Sequence, residues 1–132
     1  MSGQAYLYAA ASIASVATAA LHAFAGGAMM ARPFYRKAGL HGLSTHAFRY
    51  CWHFVTVALV LMGAGYAYLA TAPQLWPLGA YLSVSAASYS ALSVAVSLAE
   101  KAPPLKSPPT TLAAIVATFG FAALGVAGLW AD

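Results

Sequence analysis

The chain has 132 residues, 62% of them hydrophobic and 6% charged, with a mean hydropathy of +0.75. That composition excludes a water-facing surface and points to a bilayer. The formal charge of +4 is carried by six basic residues against two acids, and the single cysteine, Cys51, excludes an internal disulfide.

A membrane span needs about 20 apolar residues, and four such stretches follow one another at about 6–30, 50–70, 78–99 and 111–130. The expectation is an all-α, four-helix transmembrane bundle forming a single domain over residues 1–132. Any site must then be built from the helices or from the first connection. The first stretch has small residues at Ala23-Phe24-Ala25-Gly26 that suggest a cleavage point. It lacks a basic segment ahead of it and is long for a signal peptide, so it is read as a permanent helix.

Helix 1 carries a seam of Tyr8, Ser12, Ser15, Ala19, His22, Gly26 and Met29, which turns His22 into the bundle, and Pro33 is expected to end it. Arg32, Arg36, Lys37 and Arg49 follow, and Ser44 with Thr45 offers a cap for helix 2. Along helix 2, His46 and His53 share a face, beside Tyr50 and Thr56. Pro73 and Pro77 bracket a short turn that leads into helix 3. There Gly79, Ser83, Ala86, Ser90, Ser93 and Ser97 form a stripe of small residues at alternating spacings of three and four, the pattern of close helix association. Pro103, Pro104, Pro108 and Pro109 stiffen the last connection, Thr110 offers a cap, and helix 4 brings Gly120, Gly125 and Gly128.

All six basic residues fall in the first and third connections. The positive-inside rule therefore puts those connections in the cytoplasm and both termini outside, in a bacterial inner membrane. Tyr6, Tyr8, Tyr66, Tyr68, Trp76 and Trp130 then read as an aromatic belt at the outer boundary. The charge reports topology and attraction to anionic lipid, and no nucleic-acid partner is expected. Four thin helices rich in alanine and glycine bury little area alone, so a homo-oligomer or a larger membrane complex is expected as partner.

Histidines inside a membrane are functional candidates by default. His22 and His53 fall on adjacent antiparallel helices toward the same side. One reading makes them hydrogen-bonding ties between helices. A second makes them axial ligands of a haem b for electron transfer or haem handling. Gly26 and Gly27 would give the ring room, Trp52 would wall it, and Arg32 and Arg49 would neutralise its propionates. A third is a copper or other transition-metal site drawing on His22, His53 and His46 together with Cys51, Met29 and Met30. Carboxylate chemistry has no basis within the membrane, because the acids are Glu100 and Asp132.

The succession Leu21-His22, Gly26-Gly27, Arg32-Pro33 and Cys51-Trp52-His53 with Thr56 resembles small bacterial four-span membrane proteins with no assigned activity. The resemblance covers mainly the first two spans. It implies that His22, Arg32, Trp52 and His53 belong to a common site.

Overall fold

The computed structural model describes residues 2–37, 39, 42–99 and 109–131, the side chains of 37 and 109–114 excepted. His41, Glu100, Lys101, Pro103, Pro104, Lys106, Pro108 and Asp132 lie outside the described residues, as do the side chains of Lys37, Pro109 and Thr110. The first rod runs as α1 (Gly3–Ala20), a π-helix (Leu21–Ala31) and α2 (Arg32–Lys37). It is followed by α3 (Gly42–Thr71), α4 (Trp76–Ala99) and α5 (Pro109–Trp130). Three helical stretches, Gly3–Arg36, Gly42–Thr71 and Trp76–Ala99, are long and apolar enough to cross a membrane, and α5 adds a shorter apolar stretch, Ile115–Trp130. By helix length and hydropathy this is a multi-pass membrane protein.

The ends of the helices follow local chemistry in part. The Ser2 side chain accepts from the Ala5 N–H at 3.3 Å and caps α1. The turn between α3 and α4 closes through Leu75 N–H to the Ala72 carbonyl, and Pro77 stands in the first turn of α4, where its missing donor leaves no bond unmade. Two expectations need correction. Pro33 does not end the first helix: it lies in the first turn of α2, just past the π-helix, where the Arg32 N–H reaches back to the Gly27 carbonyl. The rod continues because Phe34 and Tyr35 of α2 pack on Phe48 of α3, with ring centroids 4.4 and 5.6 Å away. Tertiary packing outweighs the local signal. α3 begins at Gly42, so Ser44 and Thr45 lie inside it instead of capping it.

Within the bundle α1 lies between α3 and α5, and α4 packs along α5. The neighbours in sequence, α3 and α4, touch over a short stretch near their turn, where Leu82 covers Gly65 and Tyr66 meets Ser83. At this end the core is built on two tyrosines. Tyr8 and Tyr66 are fully buried, stacked 6.4 Å apart at 25°. A Cβ on Gly128 would stand 2.7 Å from the Tyr8 ring, and one on Gly79 would stand 2.9 Å from its hydroxyl. Tyr66 Oη and Ser83 Oγ are 3.1 Å apart, and Ser83 donates to the Gly79 carbonyl at 2.8 Å. Neither ring therefore belongs to the aromatic belt expected from the sequence, whereas Tyr6, Tyr68, Trp76 and Trp130 are exposed at that end. Tyr8 and Tyr66 lie on faces whose partners are small, so backbone approach makes room for a whole ring.

Further along, serines tie α1 to α3: Ser12 donates to the Gly63 carbonyl and Ser15 to that of Leu59, both at 2.8 Å. Ser90 of α4 and Thr118 of α5 are joined hydroxyl to hydroxyl at 2.5 Å. The small-residue stripe of α4 behaves as its spacing predicts, with Gly79, Ser83, Ala86, Ser90 and Ser97 buried and Ser93 half-buried.

Two glycine substitutions test this packing. Gly125→Ala drives a methyl into Tyr66 and Ser83 and is expected to destabilise the bundle by about 1–3 kcal/mol. At Gly120 a Cβ meets nothing within 4 Å, so Gly120→Ala is expected to be neutral or to stabilise by up to about 1 kcal/mol through helix propensity. Unfolding of both variants in detergent, followed by circular dichroism, checks the pair.

Candidate functional site

Away from the tyrosine core, toward the end that carries Arg32, Arg36 and Arg49, the four rods part around a cavity of about 470 Å³. Thr18, His22, Gly26 and Met30 line it from the first rod, Trp52, Phe54 and Leu59 from α3, Tyr89, Leu92 and Ser93 from α4, and Thr118 from α5. Its walls are mostly apolar, and His22 is the one ionisable group among these besides the Tyr89 phenol. Phe54, Tyr89 and Leu92 are also exposed on the outer surface, so the cavity opens sideways between α3 and α4, where those helices touch least.

His22 is positioned by the π-helix. Bonding of the i→i+5 type adds residues to each turn, so the seam read along α1 at helical spacing slips beyond Ala20. Tyr8, Ser15 and Ala19 are buried as that seam requires, but Met29 is 66% exposed and Met30 is the one that reaches the cavity. His22 and Gly26 stay on the inner side, half-buried.

The imidazole is held by one residue of the neighbouring helix. His22 Nε2 lies 3.1 Å from the Trp52 carbonyl oxygen, and its ring stacks on the Trp52 indole at 4.2 Å and 18°. A carbonyl only accepts, so Nε2 carries the proton and, in the neutral ring, Nδ1 keeps its lone pair. The Trp52 carbonyl is also approached by the Thr56 hydroxyl at 3.4 Å. Gly26 completes the seat: a Cβ there would stand 3.2 Å from Trp52 Cζ2, so the benzene edge of the indole rests on bare backbone. Beyond it the aromatic contacts continue outward, Trp52 to Phe48 at 6.3 Å, Phe48 to Phe34 and Tyr35, and the Arg49 guanidinium 4.8 Å above the Tyr35 ring.

The residues singled out in the sequence separate into groups. His22, Gly26 and Trp52 come together. His53 is adjacent to Trp52 in sequence but exposed and not among the cavity-lining residues; His46 and Cys51 are exposed as well. Gly27 has open space where a side chain would stand. Arg32 lies with Ala28, Pro33 and Arg36 around a separate surface recess, and Arg49 is engaged by Tyr35. Among the described residues no three of His, Cys, Asp and Glu gather as a metal-binding group. Sequence reasoning missed Tyr89, Leu92 and Thr118 as site residues; no spacing signals them, because they reach the cavity through the packing of α4 on α5.

If the imidazole ties the helices, His22→Ala is expected to destabilise the bundle by about 0.6–2 kcal/mol, and His53→Ala by less than about 0.5 kcal/mol. Denaturant titration in mixed micelles separates the two. No family model matches the chain, and no curated protein or solved structure is significantly similar to it, so the reading of the site rests on its geometry.

Proposed function

We propose that this chain is a multi-pass protein of the bacterial inner membrane, its basic end cytoplasmic, that binds a small apolar molecule dissolved in the bilayer. The observation that carries the reading is the cavity itself: about 470 Å³ of mostly apolar space between the helices, with one imidazole in its wall. Ligand sites have that size and character, a mostly apolar wall with a few placed polar groups. His22 is the polar anchor and Trp52 both orients it and walls the site. The tie from His22 to the Trp52 carbonyl serves the fold and the site together, since it fixes which nitrogen faces a ligand.

Trp52 supplies the test. Of the three tryptophans, Trp76 and Trp130 lie at the other end of the bundle, so replacing both by phenylalanine leaves Trp52 as the reporter. In nanodiscs, a brominated aromatic such as bromobenzene is expected to quench its fluorescence with saturation, and unlabelled toluene to reverse the effect. Quenching that rises linearly and resists competition overturns the reading.

A second reading is a haem b held through His22, and one observation favours it. Histidines that ligate metals usually donate their other ring N–H to a carbonyl or carboxylate, as His22 does. The cavity offers this imidazole alone, so a bis-histidine form would require His53 to turn inward. Absorption spectra of the oxidised and reduced protein test it. A Soret band lost in His22→Ala and kept in His53→Ala supports a single histidine ligand, and a band lost in both supports the pair. A colourless preparation after reconstitution with haem excludes either.

A further inference from the structure

Resting on the reading of the cavity as a ligand site, we infer that the group it selects is a hydroxyl on an aromatic ring, the chemistry of phenols and hydroquinones. The inference follows from where the protons are. His22 commits Nε2–H to the Trp52 carbonyl at 3.1 Å, which leaves Nδ1 as an acceptor with no partner among the described residues. Stacking on Trp52 at 4.2 Å, with Gly26 admitting the indole edge, holds the ring in that orientation.

The threonine and serine hydroxyls of the wall are already engaged. Thr18 donates to the Ala14 carbonyl at 2.7 Å and Ser93 to that of Tyr89 at 2.9 Å, while Thr118 is bonded to Ser90. The Trp52 indole N–H and the Tyr89 hydroxyl have no hydrogen-bond partner among the described residues. The wall thus offers a bare acceptor at His22, and a hydroxyl is the smallest group that brings it a proton. An ether or a ketone brings no proton to Nδ1 and leaves it unsatisfied behind an apolar ligand, which is the expensive outcome. The ring is selected by the walls, where Trp52, Phe54 and Tyr89 supply aromatic faces and edges.

A matched pair of probes isolates the hydroxyl: 4-butylphenol and 4-butylanisole, nearly identical in shape, one with the proton and one without. Each displaces a brominated quencher from Trp52 in the full chain embedded in nanodiscs, compared at equal mole fraction in the bilayer. The phenol is expected to bind about tenfold more tightly, the factor that 1.4 kcal/mol of discrimination provides, and the ratio is expected to fall to near one in His22→Leu. A ratio near one in the unmodified protein overturns the inference and leaves the cavity reading standing. Displacement by neither probe overturns both. Should His22→Leu not fold, ¹⁵N spectra of the unmodified protein give the same answer: Nδ1 is expected to lose its bare, pyridine-type shift on addition of the phenol and to keep it with the anisole. A shift unchanged by the phenol is the overturning result.

Discussion

Helices in a bilayer gain little by leaving lipid for one another, so close packing and hydrogen bonds must hold them. In this chain the closest packing is that of Tyr8 and Tyr66 into notches of glycine on α4 and α5. The two rings lie where a Cβ on Gly79, Gly125 or Gly128 would collide with them, and the Tyr66 hydroxyl has Ser83 as partner. With one end gripped in this way, the first rod is fixed between α3 and α5, and two serines extend the grip to Leu59. Beyond Leu59 α4 stays tied to α5 through Ser90 and Thr118, while α3 and α4 part around the cavity.

The cavity is the product of that asymmetry. A bundle closed along its whole length would present its histidine only to other side chains. Here the π-helix carries His22 along the inner side for another turn while α3 and α4 separate, and the space is filled by neither. Stacking between His22 and Trp52 does at the open end what the tyrosines do at the closed one, with a contact between single residues in place of a packed layer. The aromatic contacts that run on through Phe48 to Phe34 and Tyr35 anchor the end of the rod past Pro33.

Helix number, the inward seam of α1 and the small-residue stripe of α4 were legible in the sequence because they depend on hydropathy and regular spacing. The departures share a cause, a tertiary contact that no local pattern encodes. Pro33 reads as a terminator until Phe34 and Tyr35 find Phe48. Tyr8 and Tyr66 read as interface residues until glycines from other helices make room for them. The site was half legible: His22, Gly26 and Trp52 stood out by type, and they meet. The pairing of His22 with His53 assumed regular α-helical geometry on both sides, whereas helix 1 is wound as a π-helix at His22 and Trp52, one residue before His53, takes the inward position. The α4 and α5 walls depend on interhelical packing and left no mark in the sequence.

The sideways opening has a consequence for how occupancy is measured. On the ligand-binding reading, with the opening turned to hydrocarbon, the cleft holds acyl chains when no other molecule is there, so binding is an exchange with solvent lipid. Its equilibrium is set by the mole ratio of ligand to lipid within the membrane and by acyl-chain length and order, not by concentration in the surrounding buffer. Two laboratories using the same aqueous dose with different amounts of lipid would measure different affinities for the same protein.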